Sequence, residues 1–178
     1  MPRNLANPFD GFSRGALDLI AISAKRTLAS RSALLSAWTG GRIRRGDLPA
    51  YSPGTLFPVI TVGVKSMDPT FTPGQLVDTV VPLGIEILWR QPARDEYGDE
   101  EPTIASVVQE IRAALLRNYY LLDEDLRPGN KRLISRLAGF EIESYDHIET
   151  KGGQSLLSLS ITVTYETILN HRTLEIEA

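Results

Sequence analysis

Between residues 157 and 166 apolar and polar side chains alternate without a break, Leu157, Leu159, Ile161, Val163 and Tyr165 against Ser158, Ser160, Thr162, Thr164 and Glu166. Successive side chains of a strand point to opposite faces, so this period predicts a half-exposed antiparallel β-strand. A second alternation sets Val77, Val81, Leu83, Ile85, Ile87 and Trp89 against Asp78, Glu86 and Arg90, which predicts a strand with one buried face running to about Arg90. Pro82 and Gly84 within it predict a bulge or an edge position, because proline has no amide hydrogen to give a neighbouring strand. Phe140, Ile142 and Ile148 against Glu141, Glu143 and Glu149 predict a further strand, with Lys151-Gly152-Gly153-Gln154 as its hairpin turn. The short β-branched run Phe57-Pro58-Val59-Ile60-Thr61-Val62-Gly63-Val64 predicts the first strand, with its proline at the start, where a missing amide is tolerated.

Two segments carry the helical period instead. Leu17, Ile20, Ala21, Ala24, Leu28 and Leu35 fall at steps of three and four or their multiples, predicting a helix over about 12–38 that stops at Gly40-Gly41. Ile104, Val107, Val108, Ile111, Leu115 and Leu122 repeat in the same way after Pro102, which suits a first helical position, with Glu100 and Glu101 near the positive helix end. Residues 42–56, rich in Gly and Pro, read as a loop from helix to sheet, and 65–75 as a long loop projecting from it. The order is helix, strand, strand, helix, strand, strand. It predicts an α+β fold of two layers, with an antiparallel-rich four-stranded sheet and both main helices on one face. The second helix is long enough to serve as a crossover, which leaves room for a parallel pair. The 178 residues fit one domain, with 1–11 as an extended arm and 168–178 as a C-terminal tail.

Composition narrows the function classes. Hydrophobic residues at 42% and charged residues at 23% place the chain among folded proteins rather than disordered ones. The absence of cysteine excludes disulfides, thiolate zinc sites, iron–sulfur clusters and cysteine nucleophiles. No apolar stretch reaches the roughly 20 residues of a membrane span and the first residues form no signal peptide, so neither a membrane nor a secreted protein is expected.

Charge is uneven: eight basic against three acidic residues precede position 50 and eleven against nineteen follow it, giving +5 and −8. The basic part peaks at Arg42, Arg44 and Arg45, the best candidates for a phosphate-binding patch, and the acidic part at 95–101. Opposite charge on one subunit can steer a second copy head to tail; two solvated loops are the plainer account. A pI near 5.5 speaks against a dedicated nucleic-acid binder.

His147, expected on a solvent-facing strand parity, and His171, in the tail, have no carboxylates at ligand spacing, so no metal or other cofactor is expected. The acidic run lacks the alternating ligand pattern of a calcium loop. No nucleophile elbow, phosphate loop or dinucleotide fingerprint is present, and no acid, base or nucleophile can be named, so no enzyme is expected. Tyr119-Tyr120 reads as one packed and one exposed ring, and Trp89 as core.

The element order, together with Leu56-Phe57-Pro58-Val59-Ile60-Thr61-Val62, Val80-Val81-Pro82-Leu83-Gly84-Ile85-Glu86-Ile87-Leu88-Trp89, the helix over 104–116 and the closing strands from Gly139 to Thr167, resembles the tail-terminator (minor tail or tail-completion) proteins of long-tailed bacteriophages. The resemblance spans roughly 12–168. It implies a virion protein, assembled in the host cytoplasm, that forms a homohexameric ring on the last ring of the tail tube. Such a ring stops tube polymerisation and docks the head-side connector or head-closure protein, while double-stranded DNA passes through it without specific binding. The implied subunit and tube contacts are the sheet edges and the 65–75 loop, with Met67, Asp68, Thr70, Phe71 and Gln75 as interface candidates. The N-terminal arm, the acidic loop and an insertion over 123–136 depart from shorter family members. Another neck or tail-completion protein, or a nucleic-acid-binding α+β module, fits the same pattern as an alternative.

Overall fold

The computed structural model describes residues 16–46, 56–65, 76–90, 103–129, 131–149, 155–170 and 175–176. The arm, the acidic run, the hairpin turn, Pro102, His171 and the five interface candidates Met67, Asp68, Thr70, Phe71 and Gln75 lie outside the described residues.

The expected first helix is two helices, α1 (Ala16–Arg31) and α2 (Ala33–Thr39). Ser32 divides them: its backbone is extended and its hydroxyl accepts from the Leu35 amide at 3.0 Å, capping α2. Gly40 and Gly41 end α2 with positive φ of 56° and 76°, and their amides donate to the carbonyls of Ala37 and Ser36. The apolar stripe is as expected, with Ile20, Ala21, Ala24, Leu28 and Leu35 all buried. Next come β1 (Ile43–Arg45), β2 (Val59–Val64) and β3 (Leu76–Arg90). Residues 43–45, expected as loop, form a strand because β1 pairs in parallel with β2, Ile43 facing Ile60.

The helix α3 (Ile104–Arg117) is capped by the Thr103 hydroxyl, which accepts from the Ser106 amide at 3.2 Å. It buries Val107, Ile111, Ala114 and Leu115. Leu122, included in the helical stripe, lies beyond the helix end and is exposed; Leu121 enters the core in its place. Leu121 adopts a left-handed φ of 50°, a conformation that costs a non-glycine residue energy. Asn118 holds the turn, with its side chain bonded to both the amide and the carbonyl of Leu122 and to the Thr27 hydroxyl.

The chain closes with β4 (Arg136–Glu149), β5 (Ser155–Asn170) and β6 (Glu175–Ile176). Thus 168–170 extend β5 and β6 returns to pair with it, within the span expected as a tail.

The class is α+β, but the sheet is mixed and larger than the expected four strands. Its order is β1-β2-β3-β5-β4, with β6 beside β5. All pairs are antiparallel except β1 with β2. The connection through α3 does not create a parallel pair: it carries the chain past β5 to the far edge, and β5 returns to fill the gap beside β3. The helices pack on one face, where Val81, Leu83, Ile85, Ile87 and Trp89 of β3 join Leu157, Leu159, Ile161, Val163 and Tyr165 of β5 in the core. Trp89 is core as expected, edge-on to Trp38 with centroids 5.8 Å apart. Tyr119 and Tyr120 pack edge to face at 5.0 Å and are both half-buried, with the Arg132 guanidinium over the Tyr120 ring.

No bulge occurs at Pro82. Its carbonyl accepts from the Lys65 amide where β2 ends, so its absent amide hydrogen would point to the same side, where β3 is losing that neighbour. The bulges are in β4 instead, where the register with β5 shifts between Leu137 and Gly139 and again between Ile142 and Ser144. The second bulge reverses the parity. Phe140 and Ile142 oppose Val163 and Ile161 on the helix side, but Ile148 opposes Leu156 on the other face, where it packs in a second cluster with Phe57, Val59 and Leu88. For the same reason His147 lies opposite Leu157 on the helix-side face, exposed, rather than on the polar parity.

Two titratable groups, one in the core and one on the outer side of α3, bear on stability. The Tyr165 ring is fully buried, its hydroxyl has no hydrogen-bond partner among the described residues, and burial pushes its ionisation well above the ordinary range. Replacing it, Tyr165→Phe, removes an unsatisfied polar atom and keeps the ring, so stability in urea should hold or rise by up to about 1 kcal/mol. Glu110 on α3 is held below its ordinary 4.5 chiefly by a hydrogen bond from Ser32; desolvation opposes this and Arg117 adds to it. A carboxylate lowered in the folded state contributes stability above its ordinary pKa and loses it as pH falls. Acid unfolding followed by circular dichroism should therefore be shallower below pH 4.5 in Glu110→Gln than in the unsubstituted protein.

Candidate functional site: two unlike edges of one sheet

The basic segment does not act as one patch. Arg42 turns inward, where Nε donates to the Pro58 carbonyl at 3.0 Å and Nη2 to the Phe57 carbonyl at 3.1 Å, tying the end of α2 to the start of β2. Arg44 and Arg45 follow on β1 and, as successive strand residues, take opposite faces of the sheet. Arg44 sits beside Thr61, and Arg45 sits on the helix side, 3.2 Å from Asp18 of α1. Between α1 and β1 lies an open groove of about 510 Å³ lined by Ile22, Lys25, Arg26, Ile43, Arg44 and Arg45. Arg26 is drawn to Asp123 at 2.9 Å and Asp125 at 3.4 Å. Lys25 in the groove and Arg44 on the other face of β1 have no ion-pair partner among the described residues and give this edge its uncompensated positive charge. Lys25 escaped notice in the sequence because it stands 19 positions from Arg44 and only the α1–β1 packing joins them.

At the opposite edge, β4 is 14 residues long and no described strand pairs with its far side. Beyond Phe140 the helices no longer cover it, so Ile142 and Tyr145, on the helix-side face, are 54% and 40% exposed. Tyr145 Oη lies 3.3 Å from His147 Nε2. Glu141, Asp146 and Glu149 are exposed acids without an ion-pair partner among the described residues. Glu143, the residue added by the bulge, is engaged: it pairs with Lys65 and accepts from the Thr162 hydroxyl at 2.6 Å. The Lys65 stem reaches it by lying over Gly84, where a Cβ would come within 3.1 Å of that stem. The small residue at Gly84 thus allows a polar strap from the end of β2 to the bulged edge. At the other end of β4, Arg136 forks onto Glu166 and holds its carboxyl below the usual range.

Glu141, Glu149 and Ile142 were visible in the sequence as part of one more alternating strand; Tyr145 and Asp146 stand beyond the bulge, off that parity, and nothing marked β4 as the edge that no described strand covers. Among the described residues, no three His, Asp or Glu side chains are grouped to hold a metal ion, and no helix is long and apolar enough to cross a membrane.

Neither the protein-family models nor the curated proteins give a match to this chain. Among solved structures, it is similar to a chain of the virion of a native gene transfer agent particle, with 15% identity over 83% of this chain and 94% of that one and a TM-score of 0.36. Likeness of that degree carries no argument about what this chain does.

The two arginine environments separate experimentally. Arg42→Ala removes two hydrogen bonds to half-buried carbonyls and should lower stability by about 1–3 kcal/mol. Arg44→Ala, at an exposed position, should stay within about 0.5 kcal/mol of the original in the same urea titration.

Proposed function

We propose that this chain is a structural protein of a long-tailed phage or phage-like virion, a tail terminator that closes into a hexameric ring on the last ring of the tail tube. In this reading the ring stops tube polymerisation and presents a surface to the head-side connector, and DNA passes through it without being held. No catalytic step belongs to the role. The observation that supports it is the pair of unlike sheet edges: an acidic β4 edge, bearing Ile142 and Tyr145, that no described strand covers, and a short β1 edge beside a basic groove. Unpaired edges invite strand addition, and soluble oligomers built from unlike surfaces close as rings. The element order and the segments shared in pattern with tail terminators supply the rest of the reading.

A neck or tail-completion protein would use the same edges without binding tube ends. The basic groove favours one further alternative, a nucleic-acid-binding module, because unpaired Lys and Arg attract phosphates.

Light scattering and negative-stain images of the protein, alone and mixed with tail tubes, decide among these. Rings of about six copies, or caps at tube ends, are expected. Rings that ignore tube ends would assign a neck role, and a monomer that ignores tubes and binds duplex DNA in a salt-sensitive way would overturn the reading in favour of the nucleic-acid module.

A further inference from the structure

We infer that the acidic β4 edge of one copy docks on the β1 edge and basic α1–β1 groove of the next copy, head to tail. The inference rests on the ring reading and names its contact surface.

Strand direction, charge and the exposed apolar side chains carry it. In strand order, β1 and β2 run one way, β3 the other, β5 with β2, and β4 with β3. When a second copy is placed edge to edge in the same orientation, β4 therefore meets β1 antiparallel, and the sheet continues across the boundary in its commonest pairing. The charges agree with that placement. Glu141, Asp146 and Glu149 project from β4 without ion-pair partners among the described residues, and Lys25 in the groove and Arg44 on the other face of β1 likewise have none among them. Other charges at both edges are already satisfied within the subunit, Glu143 by Lys65, Arg136 by Glu166, Arg45 by Asp18 and Arg26 by Asp123. Among the described residues, what remains is three acids on one edge and two bases on the other, which is what a heterologous contact between identical copies needs. Ile142 and Tyr145 supply the apolar area such a contact would bury. Two β4 edges meeting each other would set like charges face to face, so a symmetric pairing through this edge is disfavoured.

The test exchanges charge between the edges. One variant carries E141K/D146K/E149K, a second K25E/R44E. Each alone should associate about 100-fold more weakly than the unsubstituted protein, because like charges then face each other at every contact. An equimolar mixture of the two should recover rings that hold both variants in equal number, read by native mass spectrometry, since each contact in an alternating ring regains opposite charge. Circular dichroism melts check folding. If the triple reversal melts early, E141Q/D146N/E149Q replaces it and should weaken association by a smaller factor.

Normal ring formation by either reversal variant alone would overturn this interface and leave the ring reading standing. Failure of the unsubstituted protein to self-associate, alone or on tubes, would remove the ring reading and this inference with it. Loss of duplex DNA binding in K25E/R44E with self-association intact would assign the groove to nucleic acid and overturn the inference.

Discussion

The fold depends on burying one parity of two long adjacent strands. β3 pairs with β5 along all 15 of its residues, from Leu76 opposite Asn170 to Arg90 opposite Leu156. That register aligns Val81, Leu83, Ile85, Ile87 and Trp89 with Tyr165, Val163, Ile161, Leu159 and Leu157, so the apolar sides of both strands form one continuous surface. A slip of one residue would turn every one of these side chains toward water. The surface must be covered, and α1 and α3 cover it with Ile20, Ala24, Leu28, Val107, Ile111 and Leu115. Helix α1 is held to the turn after α3 by polar contacts, from the Ser23 hydroxyl to the Leu121 carbonyl and from the Asn118 amide to the Thr27 hydroxyl.

The same arrangement leaves the edges unequal. Two helices cover the centre of the sheet but not its full width, so β4 keeps Phe140 against the core and exposes Ile142 and Tyr145. The bulge at Glu143 then turns Ile148 to the opposite face, where it joins Val59, Leu88 and Leu156. An edge strand that is bulged, charged and strapped by Lys65 resists indiscriminate pairing with other chains while still offering backbone groups to a matching partner. At the other edge, β1 is only three residues long, and the cations beside it belong to a helix as much as to the strand. Among the described residues, part of the charge asymmetry of the chain thus appears as a difference between two sides of one sheet.

Much of this was legible in the sequence because burial selects side chains with the local period. The strict alternation over 157–166 and the three-and-four spacing over 104–115 each answer to one face of one element, and both elements formed as their patterns require. Trp89 in the core and the stop at Gly40-Gly41 were readable for the same reason. The break at Ser32 was not, since a cap needs only a hydroxyl beside an extended backbone and the apolar stripe continues across it.

What escaped the sequence are relations between segments. Strand order is one: whether β4 or β5 lies beside β3 depends on which surface each can complete, and both carry alternating patterns. The parity of Ile148 and His147 is another, because a single inserted residue reverses every later side chain and leaves no mark on composition. Arg42 and Arg44 read as equivalent cations until the start of β2 offers carbonyls to Arg42, while Arg44 stays exposed with no ion-pair partner among the described residues. By itself the sequence determined the periodic elements, their buried faces and the division of charge, all of which follow from local spacing. Only the tertiary structure decided which described strand lies at the edge and which described cations have no ion-pair partner among the described residues, because those depend on contacts between residues far apart in the chain.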